Sequence, residues 1–328
     1  MKKLTADQIS LTTYLKQQDW LGAGEKIVST EKPGEGNMNF TLRVTTNKRS
    51  FILKQSREYV EKYPQVAAPA DRALNEAEFY ELVATKPQLD AMMPELIAVD
   101  CDNNVLLLED LGRGSDYTYI YKKGKNIPEG ELMTIMDFAA QLHTKLRSQT
   151  TSSTLQNLKM RTLNHEHIFK FPYMLENGFN LDTILPGLQE ISLIYKKDEK
   201  LKKAINALGY QYLEDGDILL HGDYFPGSWL NTVKGIKIID PEFCFFGFAE
   251  FEIGVTIAHL KMADQPKKLI DKALSHYSTL AKLDGVLTKK FTAVEVLRRI
   301  LGLAQLPLEI DLDKRKELLE EARIAILS

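Results

Sequence analysis

The pattern that most restricts the fold is a change of period along the chain. In "MNFTLRV", Met38, Phe40, Leu42 and Val44 alternate with Asn39, Thr41, Arg43 and Thr45. A period of two sends successive side chains to opposite faces, so this run reads as a half-buried strand. It is the middle one of three strand-like runs in residues 25–56, separated by Pro33-Gly34-Glu35-Gly36-Asn37 and by "TNKRS", and the third, "FILK", closes on Lys54. Residues 71–85 read as a helix opened by Asp71, and "ELIAVD" and "NVLLLED" as two more strands. After the connector "LGRGSD" the period lengthens: Leu132, Ile135, Met136, Ala139, Leu142 and Leu146 mark one face of a helix. Further helices are expected over 5–18, 187–213, 252–262, 267–283, 292–305 and 313–327, with a loop over 147–157.

This order predicts an α+β, bilobal, protein-kinase-like fold. Residues 1–111 would form a small N-terminal antiparallel β-sheet lobe with one main helix, the nucleotide-binding lobe. Residues 112–328 would form a larger, mainly helical C-terminal lobe, catalytic and substrate-binding. The chain's 328 residues suffice for two lobes, and 44% hydrophobic with 27% charged residues suffices for a core. A net charge of -3 gives no global basic field, and no basic stripe interleaves with aromatics, so a nucleic-acid partner is not expected. The two cysteines, Cys101 and Cys244, form neither a disulfide framework nor a zinc pattern, which suits a reduced cytoplasmic setting. No apolar run approaches the ~20 residues that span a bilayer, and no signal-peptide core follows the first lysines, so no membrane partner is expected.

Carboxylates end two later apolar runs. "DILLHGD" stops at Asp223, and "IKIIDPE" stops at Asp240 and Glu242. Asp, Gly and Pro are ordinary turn residues, but the joint pattern suits phosphoryl transfer, which needs phosphates held, charge neutralised and a hydroxyl aimed. Asp223 would orient or accept the hydroxyl proton. Asp240 and Glu242 would face Mg²⁺ together if the backbone there is extended. Ser228 would join the metal shell or shape its own loop. Lys54 would reach phosphates, with Glu76 or Glu78 as its partner, and the Gly34/Gly36 turn could approach them, although a plain hairpin reads the same locally. The apolar segment "LLLEDLG" would hold adenine through its backbone. His165-Glu166-His167 is expected in a surface loop, and Arg298-Arg299 taken alone reads as a solvated helix face.

"HGDxxxGS" followed by "IDPEFxFFGxxxFEIG" resembles the aminoglycoside phosphotransferase superfamily, and within it the 5-methylthioribose kinases. "PGEGNMNFTLRV" looks like that family's glycine-rich loop, "FILKQSREYV" like its lysine strand, "DRALNEAEFYEL" like the following helix and "LLLEDL" like its hinge. The resemblance implies ATP and Mg²⁺ as cofactors. It implies nucleotide binding by Gly34, Gly36, Asn37, Lys54, Glu76, Glu109 and Leu111, with Glu76 the partner of Lys54. It implies metal binding by Asp240 and Glu242, and a serine characteristic of the subgroup at Ser228. Asp223 would be the catalytic carboxylate, and Arg298 and Arg299 would lie at the substrate. Phe225 departs from the pattern, which usually has histidine there. The expected reaction is phosphorylation of a small alcohol, methylthioribose or a related sugar first. Aminoglycoside, choline or amino-alcohol acceptors are the alternative in the same fold, and an inactive nucleotide-binding regulator is the alternative outside enzymology. Members of the subgroup are typically homodimers.

Overall fold

A computed structural model of the chain describes residues 2–34, 36, 38–150 and 155–328. The chain divides into two compact units, Met1–Gly114 with Thr232–Cys244, and Ser115–Asn231 with Phe245–Ser328. The segment that carries Asp240 and Glu242 thus belongs to the first unit although it lies far along the sequence.

The first unit is built on a five-stranded antiparallel sheet. Its spatial order is Ile27–Glu31, Phe40–Thr46, Ser50–Gln55, Val105–Glu109 and Leu96–Asp100. Alternation does the sorting: Leu42, Val44, Phe51, Leu53, Val105 and Leu107 form one apolar cluster with Leu11, Tyr14 and Leu15. The last three lie on the helix Gln8–Gln17, which starts where the Asp7 carboxylate accepts the Ser10 N–H at 2.8 Å. Lys54 sits in the middle strand, opposite Thr41 on one side and Leu106 on the other. One residue from Leu53, its side chain leaves the sheet on the other face, where it meets the helix Arg72–Ala84 through Glu76.

The second unit is mainly helical. Its helix Ala249–Met262 is buried along nearly its whole length, as an all-round apolar helix must be. Against it lies the helix Gly285–Leu301, and the two meet at Gly254, where a Cβ would stand 2.8 Å from Phe291 Cβ and 2.9 Å from the Thr292 nitrogen. A short antiparallel ladder pairs Ile218–Leu220 with Phe245–Gly247. Among the described residues no helix is long and apolar enough to cross a membrane. Cys101 is exposed and Cys244 buried, and they form no disulfide.

Three local expectations change. The run 187–213 is two helices, Leu188–Lys196 and Glu199–Leu213, because Asp198 caps the second by accepting the Leu201 N–H at 3.0 Å. The helix expected over 292–305 starts at Gly285, where Asp284 accepts the Val286 and Leu287 amides, and ends at Leu301. His165-Glu166-His167 is no surface loop. It joins the helix Leu158–His165 to a π-helical turn Glu166–Lys170. His165 is buried beside Phe169 and Gly209, where a Cβ on Gly209 would meet the ring at 2.8 Å. Among the described residues no group of three or more His, Cys, Asp or Glu side chains could hold a metal.

Candidate active site

In the first unit the Lys54 ammonium lies 2.7 Å from Glu76 and 2.8 Å from Asp240. Lys54 and Glu76 are buried, while the Asp240 side chain is 51% exposed, so one carboxylate anchors the lysine and the other opens to solvent. Burial pulls the Lys54 ammonium down, but the carboxylates of Asp240, Glu76 and Glu242 outweigh it and the pKa is raised. Burial pushes the Glu76 carboxyl up to about 7, with Lys54 pulling it down and Asp240 and Glu242 pushing it further up. Counting the Arg72 guanidinium, 3.1 Å from Glu242, the three carboxylates exceed the cations by one charge, which a divalent cation would relieve.

The backbone around Asp240 is not extended. The strand Gly235–Ile238 has ended, and Asp240 itself has φ +62°, in the left-handed region that an aspartate enters only at a cost of order 1 kcal/mol or more. Asp240 and Glu242 therefore diverge in their partners. Glu242 accepts from Arg72 Nε at 3.1 Å and Asn39 Nδ2 at 3.0 Å. Arg72 is wholly buried and also donates to the carbonyls of Arg57, Pro69 and Met38 at 2.7–2.8 Å. It ties Glu242 to the chain just after the glycine turn. Arg72 carried no flag in the sequence beyond its place at the start of the Glu76 helix.

Gly34 and Gly36 are exposed, and among the described residues a Cβ at either would meet nothing within 4 Å, so none of these residues requires glycine there by packing. Asn37 lies outside the described residues. The Glu109 N–H donates to the Glu95 carbonyl at 2.9 Å and its carboxylate holds Lys234 at 2.7 Å. Leu111 is buried just past the strand end.

In the second unit Asp223 follows a turn that needs glycine, since Gly222 has φ +84°. The Gly222 N–H donates to the buried Glu252 at 2.7 Å. Glu252 also holds His143 Nε2 at 2.9 Å, and His143 Nδ1 lies 2.7 Å from the Tyr277 hydroxyl. The Ser228 hydroxyl donates to the Asp223 carbonyl at 2.8 Å, and its N–H donates to the Phe225 carbonyl at 2.8 Å. Its hydroxyl thus braces the loop that follows Asp223.

Arg298 and Arg299 are not a solvated face. Arg299 is 6% exposed, its Nε donates to Glu295 at 2.6 Å, and its Nη2 lies 3.8 Å from Asp223 Oδ1. Its guanidinium lies 5.2 Å from the centre of the Phe225 ring, a cation–π contact. Arg298 donates to both Glu295 oxygens at 3.0 and 2.9 Å. Burial would raise the Glu295 carboxyl, but Arg298 and Arg299 hold it well below its ordinary value. His259 Nε2 lies 3.2 Å from Glu295, and its Nδ1 lies 2.5 Å from the Tyr121 hydroxyl. Burial pushes the His259 pKa down to about 4. The neutral ring then donates from Nε2 to the carboxylate and accepts at Nδ1 from the tyrosine. Phe225, the departure from the family motif, lies 5.0 Å from His259 and bridges it to Arg299. Glu252 and Glu295 were missed in the sequence. The available signals were the acid inside "FEIG" and a Glu one helical turn before the second arginine.

Comparisons with known proteins show what the chain is similar to. Methylthioribose kinase of Pectobacterium atrosepticum is 26% identical over 275 residues, 79% of this chain and 66% of its own. That of Bacillus cereus is 24% identical, over 98% of this chain and 90% of its own, and that of Yersinia pestis is 26% identical, over 75% and 62%. The chain thus spans just under two thirds of the first and third of these and nine tenths of the second. Among solved structures, choline kinase from Streptococcus pneumoniae superposes with a TM-score of 0.57 at 14% identity, covering 97% of this chain and 98% of its own. Ethanolamine kinase from Plasmodium vivax gives 0.57 at 12% identity, covering 99% and 91%. These likenesses establish the protein-kinase-like α+β fold. A sequence profile of the phosphotransferase enzyme family matches residues 29–285, more than half of the chain, and the chain belongs to that family.

Proposed function

We propose that the protein transfers the γ-phosphoryl group of ATP to a hydroxyl of a small molecule, with 5-methylthioribose or a related sugar as the first acceptor. The observation that carries this reading is the Lys54 ammonium held between buried Glu76 and half-exposed Asp240 in a chain of the phosphotransferase family. In this reading Lys54 binds phosphate oxygens, and the Gly34–Gly36–Asn37 loop covers them with backbone N–H groups. The backbone at Glu109 and Leu111 holds adenine. Asp240 and Glu242 offer the hard oxygens that suit Mg²⁺, which takes one or two carboxylates and completes its shell with water and phosphate. Bound there, the ion would neutralise charge on the phosphates. The acceptor oxygen attacks the γ-phosphorus, the bond to the ADP oxygen breaks, and the hydroxyl proton passes to the Asp223 carboxylate. Arg298 and Arg299 line the acceptor side, with Ser228 bracing the loop.

Methylthioribose is supported by the three relatives that bear that name and by the serine at Ser228. The arginine pair, with Arg299 buried, disfavours a cationic acceptor such as choline, an amino alcohol or an aminoglycoside. An inactive regulator would have no need of Lys54, Asp223, Asp240 and Glu242 together. Residues 1–111 with the returning metal segment serve nucleotide, and the rest of the chain serves the acceptor. A cytoplasmic homodimer, implied by the resemblance, belongs to the same proposal. A panel of acceptor alcohols read by ADP release tests it. Turnover of methylthioribose is expected, and Asp223→Asn should lower kcat by about 10²–10⁴-fold. Undiminished turnover by Asp223→Asn would sink the mechanism; turnover of another alcohol alone would sink only the acceptor.

A further inference from the structure

Two buried relays of the same composition end on glutamates that hold neighbours of Asp223, Gly222 and Arg299. In one, Tyr277 bonds His143 at 2.7 Å, His143 bonds Glu252 at 2.9 Å, and Glu252 accepts the Gly222 N–H at 2.7 Å. In the other, Tyr121 bonds His259 at 2.5 Å, His259 bonds Glu295 at 3.2 Å, and Glu295 accepts from Arg299 at 2.6 Å. Both histidines and both glutamates are at most 1% exposed. Burying an ionised carboxylate is costly unless its oxygens are satisfied. Each glutamate here meets that condition with donors from separate elements, and in each relay one donor belongs to the immediate surroundings of Asp223. The first relay fixes the backbone that precedes Asp223. The second fixes the guanidinium that faces it.

We propose that the Tyr121–His259–Glu295 relay is the positioning machinery that sets Arg299 against Asp223, while the Glu252 relay holds the Gly222 amide. The inference rests on the functional reading of Asp223 and Arg299. The histidines transfer no proton in the reaction. Each ring links a tyrosine to a glutamate, so that loss of the tyrosine hydroxyl frees the ring and loosens the glutamate. Arg298 shares Glu295 and competes for it; Arg299 keeps its hold through the short Nε contact and the Phe225 ring beside it.

The test is a pair of double-mutant cycles on the intact enzyme, with the best acceptor of the panel and ADP release as readout. Tyr121→Phe and Tyr277→Phe keep the ring packing and should each lower kcat about threefold or more, with the KM for ATP within about twofold of its starting value. Glu295→Gln should lower kcat about tenfold or more if the variant folds, and the tyrosine variants carry the test if it does not. In an Arg299→Ala background the Tyr121→Phe effect should disappear, while the Tyr277→Phe effect should persist. Full additivity of Tyr121→Phe with Arg299→Ala, or tyrosine variants that leave kcat unchanged, would overturn the relays. An Arg299→Ala enzyme with unchanged kinetics, together with an active Asp223→Asn enzyme, would instead overturn the functional reading beneath them.

Discussion

At the scale of single residues, the site is a set of charges made tolerable by burial in pairs. Lys54 reads in the sequence as either a solvent-seeking strand end or a phosphate ligand. Its two carboxylate partners, 2.7 and 2.8 Å away, decide for an anchored ammonium. Arg299 reverses the residue-level expectation more sharply. A helix pair of arginines is ordinarily solvated, but Glu295 one turn earlier draws Arg299 inward. His259 adds a measurable consequence. Its folded pKa of about 4 lies below the ordinary 6.5. The unfolded chain therefore takes up a proton that the folded protein refuses as pH falls from 6.5 towards 4. Stability contributed by this site is complete above pH 6.5 and declines through that window, by on the order of 3 kcal/mol. Urea titrations at pH 7 and pH 4.5 should show His259→Gln losing less stability between the two than the parent protein. An equal loss would show that His259 takes its proton freely in the fold.

At the scale of elements, strands were more legible than helix boundaries. Strict alternation around Phe40–Val44 placed the middle strand because one face had to be buried. Helical periodicity says which face is buried but not where a helix breaks. It ran through Asp198, whose side chain ends one helix and caps the next. It also missed the segment around His165, where many residues are polar and tertiary packing, including the close approach to Gly209, makes a buried helix of them. Gly254 is the element-scale counterpart. Helix propensity alone favours alanine there by about 1 kcal/mol, yet the crossing with Gly285–Leu301 leaves no room for a Cβ. Gly254→Ala should destabilise by about 1–3 kcal/mol through overpacking, read as a lower denaturation midpoint. A raised midpoint would mean that the two helices separate freely.

At the scale of the whole molecule, nucleotide binding should appear as linkage. Mg·ATP at about 100 times its Kd should stabilise the protein by about 2.7 kcal/mol, seen as a rise in Tm. Lys54→Met should abolish most of that rise, whereas Tyr277→Phe should preserve it. Equal rises in all three proteins would place nucleotide away from Lys54. The sequence by itself determined the α+β order, the antiparallel sheet, the lysine strand and the three acids behind apolar runs, because period and turn chemistry are local properties. It did not determine how those acids are held. Asp240 is in a left-handed turn, not an extended strand; Glu242 is bound to Arg72 and Asn39; Asp223 sits between the Glu252 and Glu295 relays. Those arrangements join residues from 30 to 203 positions apart, from Gly222–Glu252 to Asn39–Glu242. Only the tertiary structure could decide them, because a buried charge is stable only where it meets a partner, and here most of those partners come from distant elements.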